Sequence, residues 1–433
     1  MRKITFLLFI FLVALTFSIF AYEVSSDDAA IWASKAGRGK TSFTFIVFGD
    51  NRGTSPARPL PPVLKQILKE IDLLCPDFAV NTGDILVGYT DTPEQGKAEV
   101  KEYAYYLNTY APDVAHITVC GNHEDQVLPA FRERFGKKLY FDFYYGNSHF
   151  IVLNTVFNDH KRGIYNDNDG LHTLGQLDWL KKVMPDKQNT THTFVFSHVP
   201  MYSALTPDFG PHPKCFAERE DRDAVAKLFA NNHIDAYIAG HEHLFYEEIH
   251  DGVRYITSGG GGAPIYAPVT GGAITNTGNG SRAVMEDPAL DMNGVGQGYH
   301  CNVKFPAGAL GIYNYILIKV NGDKVTYNVI EPYHFDYTYK YANDGSYYEN
   351  MVSVANRTTY NYLAKGLVFI MPGAKKYEVT AHEISWSRKV VLSKYQPEVL
   401  EVKNLPNGKA RVRVQVFLPA GTTVDVTIRA VEK

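Results

Sequence analysis

The sequence predicts an α/β domain whose sheets are covered by helices, followed by a small C-terminal β-sandwich-like domain. Three observations predict it. Short apolar runs of strand length alternate with helix-like stretches through the first half of the chain. The composition turns Gly-rich at Ser258, and the last hundred or so residues switch to strict period-two alternation. The 433 residues allow two or three domains at roughly 150 residues each. With 45% hydrophobic and 21% charged residues, wholesale disorder is excluded. A formal net charge of -3 without a long basic run gives no nucleic-acid-binding signature. Four Cys are too few for a disulfide-built scaffold.

Taken in order, Met1-Arg2-Lys3 is a short basic start to an apolar run from Ile4 to Phe20, with the small Ala21 at a cleavage position. This is the layout of a secretory signal over residues 1–21, and an uncleaved membrane anchor stands as the alternative. Either way the rest of the chain is expected outside the cytoplasm, secreted or extracytoplasmic, where Cys215 and Cys301 are free to pair. Residues 22–41 read as a polar leader. Strand-like runs follow at Phe43–Phe48, Phe78–Val80, His116–Cys120, Phe150–Leu153, Thr193–Phe196 and Ala236–Ala239. Helix-like stretches lie at Pro62–Leu74, Lys97–Tyr110, Gly175–Val183 and Asp221–Asn231. A Gly-rich insertion runs over about residues 263–311, then two more strands at Tyr313–Val320 and Lys324–Ile330 complete a first domain over 42–335. In residues 336–433, Leu400–Lys403 and Arg411–Leu418 join across Pro406-Asn407-Gly408, and Val424–Val431 alternates strictly, as half-buried antiparallel strands do.

Five of the first strands end alike. Phe48 is followed by Gly49-Asp50-Asn51-Arg52, Val80 leads to Gly83-Asp84, and Cys120 precedes Gly121-Asn122-His123-Glu124. Phe194–Ser197 runs into His198, and Ala239 into Gly240-His241-Glu242-His243. In an α/β sheet the carboxyl ends of the strands share one edge, so Asp50, Asp84, Asn122, His198, His241 and His243 should converge there. Any one of these endings alone is ordinarily a turn or a core histidine; five in order on five strands point to a site. Two Asp, one Asn and three His without Cys suit Fe, Mn, Zn or Mg. Six ligands exceed one tetrahedral ion, and a bridging carboxylate divides them between two.

These blocks resemble the calcineurin-like metallophosphoesterase superfamily, particularly its purple-acid-phosphatase-like secreted members, over about residues 42–332. Weaker matches are His198-Val199-Pro200-Met201-Tyr202, Gln176 with Trp179-Leu180, and Ser258-Gly259-Gly260-Gly261-Gly262-Ala263-Pro264. The resemblance implies a two-sheet β-sandwich core flanked by helices, with two divalent or trivalent metal ions at one edge. Asp84 would bridge them, Asn122, His198 and His241 would complete one shell, and Asp50 and His243 would hold the other ion. It also implies that His123 contacts substrate and protonates the leaving oxygen, and that Glu124 orients its neighbours. The implied chemistry is in-line attack of a metal-bridging hydroxide on a phosphate ester.

One position departs from the family pattern. Where a ligand His is usual, two residues after the first Asp, this chain has Arg52, which does not ligate metals but suits a phosphoryl oxygen. The Tyr that purple acid phosphatases place three residues after the bridging Asp is here Val87, with Tyr89 two residues on as an alternative ligand. His212 is a further candidate for substrate contact. The expected function is a secreted two-metal phosphomonoesterase. The alternatives are a phosphodiesterase or nucleotide hydrolase, and a non-catalytic protein that keeps the metal site while its β-sandwich binds a partner.

Overall fold

The computed structural model describes residues 23–55, 60–88, 92–124, 127–156, 176–185, 190–204, 219–265, 310–384, 389–391 and 395–431. The strands of the first domain are β1 (Ser42–Phe48), β2 (Phe78–Asn81), β3 (His116–Thr118), β4 (Phe141–Tyr145), β5 (Ser148–Val152), β6 (His192–Phe196), β7 (Ala236–Ala239), β8 (Phe245–His250), β9 (Val253–Ser258), β10 (Tyr315–Asn321) and β11 (Lys324–Ile330). One sheet has the order β11-β10-β1-β2-β3, the other β4-β5-β6-β7-β9-β8. β1 to β3 are parallel, as are β5, β6, β7 and β9. The remaining strands are antiparallel additions.

Period-two alternation explains how the sheets stack. Phe43, Phe45 and Val47 of β1, with Phe78 and Val80 of β2, point into a core shared with Phe150, Phe194, Phe196 and Ile238. Rings cross between the sheets at 5.4 Å (Phe45–Phe150) and 5.1 Å (Phe45–Phe194). The alternate residues Ile46 and Phe48 face the other way, against Val63, Leu64, Ile67 and Ile71. Those four lie on one face of the helix Pro62–Leu74.

The described helices are α1 (Ala29–Ala36), α2 (Pro62–Leu74), α3 (Pro93–Tyr110), α4 (Leu128–Phe135), α5 (Gln176–Val183) and α6 (Arg219–Asn231). α3 begins four residues before the expected Lys97. Thr92 accepts from the Gln95 N–H at 3.3 Å and its own N–H donates to the Gln95 side chain at 2.7 Å, a capping box that starts the helix at Pro93. The segment read as a leader folds onto the domain from Glu23 onward. Val24 donates to the His116 carbonyl at 3.1 Å, and Trp32 of α1 stacks on Tyr145 with ring centroids 5.5 Å apart.

The C-terminal domain contains β12 (Phe335–Tyr339), β13 (Glu349–Asn356), β14 (Tyr362–Pro372), β15 (Lys376–Ile384), β16 (Lys389–Val391), β17 (Glu398–Leu405), β18 (Lys409–Leu418) and β19 (Thr422–Val431). They form a β12-β13-β19-β15-β16 sheet and a β14-β18-β17 sheet, all antiparallel. Val412, Val414 and Val416 are buried, while Arg411 and Arg413 between them reach back to the first domain at Asp113 and Cys75. Glu70 of α2 closes the junction, accepting from the Tyr315 hydroxyl and the Tyr333 N–H, both at 2.7 Å.

Candidate metal centre

The carboxyl ends of β1, β2, β3, β6 and β7 bring Asp50, Asp84, Asn122, His198, His241 and His243 together, all buried. Three of the six sit in the left-handed backbone region, with φ of 57° at Asp50, 56° at Asp84 and 71° at His241. Such conformations cost non-glycine residues on the order of 1 kcal/mol each, and they re-aim the side chain sharply as the strand ends. The glycines preceding these positions are required by space. A Cβ on Gly240 would fall 2.1 Å from Asp50 Oδ2, and one on Gly121 would fall 2.3 Å from Asp84 Oδ1.

Two donor groups share one residue. Asp84, His198 and His241 present ligand atoms within 4.8 Å of one another, and so do Asp50, Asp84 and His243. His198 Nδ1 donates to the Thr82 carbonyl at 2.9 Å, so its Nε2 carries the lone pair. That nitrogen lies 2.9 Å from Asn122 Oδ1, 3.2 Å from Asp84 Oδ1 and 3.2 Å from His241 Nδ1. His243 is fixed in the same sense, its Nδ1 donating to the Pro264 carbonyl at 2.8 Å and its Nε2 lying 3.6 Å from Asp50 Oδ1. Asp50 itself accepts from the His241 N–H at 2.8 and 2.9 Å.

This arrangement fits cations. Lone pairs of His198 Nε2, Asn122 Oδ1 and Asp84 converge, Asp84 Oδ1 also accepting from the His123 N–H at 3.0 Å, and backbone carbonyls hold His198 and His243 as ligands rather than as donors. The electrostatics agree. Burial and the neighbouring Asp84 charge push the Asp50 carboxyl well above the usual carboxylate range. Burial acts on Asp84 in the same direction, but the His198 and His123 rings whenever they carry a proton, together with Arg52, outweigh it and hold that carboxyl below its ordinary value. Burial, then Asp84, push Glu124 up to about 8. Two adjacent buried carboxylates are relieved by bound cations of matching charge.

Glu124 ties the β2 and β3 ends together. Its carboxylate accepts from the N–H groups of Asp84 and Ile85 at 2.9 Å, Leu86 at 3.2 Å and Gly121 at 2.6 Å. His123 is buried beside the centre, its Nε2 3.7 Å from Asp84 Oδ2 and its Nδ1 donating to the Val87 carbonyl. Burial pushes its pKa down to about 3, with Arg52 acting in the same direction and Asp84 opposing, so the ring is neutral. Arg52 is buried within electrostatic reach of Asp50, Asp84 and His123, and its Nη1 donates to the Gly53 carbonyl at 3.2 Å.

Tyr89, His212, Cys215 and Cys301 lie outside the described residues, as does most of the Gly-rich insertion. The glycosylation-type pattern Asn-x-Ser/Thr occurs at Asn189, Asn279 and Asn356, and the first two also lie outside the described residues. The Asn356 amide is buried and donates to the carbonyls of Tyr360, Leu418 and Pro419, which leaves it inaccessible to modification. Sequence reasoning missed three contributors: Glu242, Thr82 and Asn314. Asn314 accepts from Ser258 Oγ at 2.6 Å and its N–H donates to the Gly260 carbonyl at 3.0 Å, bracing the turn whose Pro264 carbonyl orients His243. Only Glu242 had a signal to find, its place between the two histidines.

Residues 43–245 match the profile of the calcineurin-like phosphoesterases. No curated protein matches the chain at a significant level. Among solved structures it is similar to GAP50, the anchor in the inner membrane complex of Plasmodium, at 13% identity, 67% coverage of this chain, 85% of that one and a TM-score of 0.44. It is similar to a dimetal phosphatase from Danio rerio at 14% identity, 68% and 100% coverage and a TM-score of 0.42. A third is the NAD nucleotidase of Haemophilus influenzae, at 11% identity, 67% and 49% coverage and a TM-score of 0.30.

Proposed function

We propose, from the membership of residues 43–245 in the calcineurin-like phosphoesterase family, that this metal-dependent phosphoesterase is a secreted hydrolase of phosphate monoesters. The observation that carries the reading is the pair of buried donor groups sharing Asp84. On this reading, Asp84, Asn122, His198 and His241 would hold one ion, and Asp84, Asp50 and His243 would hold the other. When bound, the ions supply Lewis acidity that activates water and stabilises charge on the phosphoryl oxygens.

The chain's own residues do the rest. Arg52 adds a fixed positive charge beside the two carboxylates, which favours a dianionic monoester over a singly charged diester. His123 waits as a neutral ring with its Nε2 toward the centre. The arriving negative charge of substrate favours its protonated form, from which Nε2 can donate to the departing oxygen. Burial of the whole group strengthens each of these interactions by excluding water. The basic start and apolar run before Glu23 support export.

The test is hydrolysis of an aryl phosphomonoester and a matched diester by the chain lacking residues 1–21. The protein is stripped of metal and reloaded separately with Mn, Fe, Zn or Mg. Metal-dependent turnover of the monoester, lost in Asp84→Asn, is expected. Preference for the diester would replace the monoesterase reading with a diesterase one, and no turnover under any metal would remove both.

A further inference from the structure

Glu242 stands between the two candidate ligand histidines yet belongs to neither donor group. Its side chain is 1% exposed, and a carboxylate is seldom buried that far without partners. Those partners lie on another segment of the chain. The Ala204 N–H donates to Glu242 Oε2 at 2.9 Å, and the Ser203 hydroxyl donates to Oε1. Ser203 and Ala204 follow His198 by five and six residues, on the segment that continues from β6. The backbone around Glu242 turns between the end of β7 at Ala239 and the start of β8 at Phe245. The N–H of Glu242 reaches the Gly240 carbonyl at 2.8 Å, that of Leu244 reaches the Glu242 carbonyl at 2.7 Å, and His241 holds a φ of 71°.

A turn this tight, carrying two ligand side chains, needs an anchor, and the Glu242 carboxylate is one that reaches across to the His198 segment. We propose that Glu242 is a positioning residue. It locks the His241–His243 turn to the segment leaving His198, and so sets the metal affinity of a site whose histidines come from two different strands. This rests on the metal-centre reading of the preceding section. Residues that orient metal ligands from behind typically change affinity by about 10- to 100-fold when removed.

The test is calorimetric titration of the metal-stripped full chain with Zn and with Mn, in wild type, Glu242→Ala, Glu242→Gln and Ser203→Ala. Thermal melts of each metal-free form are recorded alongside. Gln can accept from the Ala204 N–H and donate to the Ser203 oxygen, so Glu242→Gln should bind within about threefold of wild type. Glu242→Ala should weaken at least one of the two binding events by about 10-fold or more. Ser203→Ala, which keeps the backbone contact, should fall between and guards against a Glu242→Ala protein that fails to fold. Wild-type affinity in both alanine variants, or failure of Glu242→Gln to rescue, overturns the proposal. Absence of metal uptake by wild type is a different result: it removes the metal-centre reading and this inference with it.

Discussion

His198 Nε2 lies 3.2 Å from Asp84 Oδ1, and the other nitrogen of that ring spends its proton on the Thr82 carbonyl. The pair therefore meets as two lone-pair bearers, an arrangement that a shared cation favours. Asp84 is common to both donor groups and Asp50 to only one. Asp84→Asn should accordingly lose both ions and lower turnover by about 1,000-fold or more, whereas Asp50→Asn should retain one. Metal content after dialysis, measured by elemental analysis, separates the two. Equal metal loss in both variants would contradict a bridging Asp84.

Arg52 stands two residues after Asp50, and its charge works downward on the pKa values of Asp50, Asp84 and His123, although burial outweighs it at Asp50. On the proposed reading it acts on substrate, and so should affect kcat more than metal content. Arg52→Ala is expected to lower kcat on a phosphomonoester about 10- to 100-fold while both ions stay bound, and Arg52→Lys should rescue only in part because the planar fork is lost. Full activity in Arg52→Ala would leave the residue with no role in the reaction.

Much of this centre was legible because strand-ending residues are a local signal. Gly49-Asp50, Gly83-Asp84 and Gly240-His241 announce both the turn and the chemistry within a few positions. The two strands of the antiparallel flank were legible, but their place in the first sheet was not. β10 pairs with β1 across more than 250 residues of chain, and nothing in the composition of Tyr315–Asn321 names its partner. The hairpin of β8 and β9 was missed despite Asp251-Gly252 at its tip, because Phe245–His250 mixes charge and aromatics without clean alternation. Glu242 was passed over because its partners, Ser203 and Ala204, are distant in sequence and carry no motif.

Two glycine substitutions should differ sharply for a spatial reason. A Cβ on Gly240 meets Asp50 Oδ2 at 2.1 Å and Thr82 Oγ1 at 2.8 Å, while Gly252, at φ 81°, has nothing within 4 Å. Gly240→Ala should therefore push Asp50 out of place and cut metal affinity about 10-fold or more, with about 1–3 kcal/mol of overpacking cost. Gly252→Ala should cost only backbone strain, about 1 kcal/mol, and leave metal binding unchanged. Chemical unfolding and metal titration of the two variants side by side check this, and similar metal affinity in both would refute the close approach.

Glu70 gives the junction between the domains a pH signature. Its carboxylate accepts from the Gln66 amide at 2.8 Å, the Tyr315 hydroxyl at 2.7 Å and the Tyr333 N–H at 2.7 Å, yet burial still pushes it up to about 7. A carboxyl raised in the folded state binds its proton more tightly there than in the unfolded chain. Its contribution to stability is thus fully present below the unfolded value of 4.5 and lost as pH rises through about 7. The shift of about 2.5 pH units corresponds to roughly 3 kcal/mol across that window. Gln at this position keeps an acceptor for Tyr333 and a donor toward the Tyr315 oxygen without carrying charge. Glu70→Gln should therefore be more stable than wild type by up to about 3 kcal/mol above pH 7, with the advantage shrinking toward zero near pH 4.5. Glu23 and Asp72, also raised to about 7 by burial, titrate in both proteins and cancel in the comparison. Urea unfolding of the two proteins from pH 4.5 to 8 measures the difference directly. A gap that does not change with pH would mean that Glu70 titrates in the fold as it does in the unfolded chain.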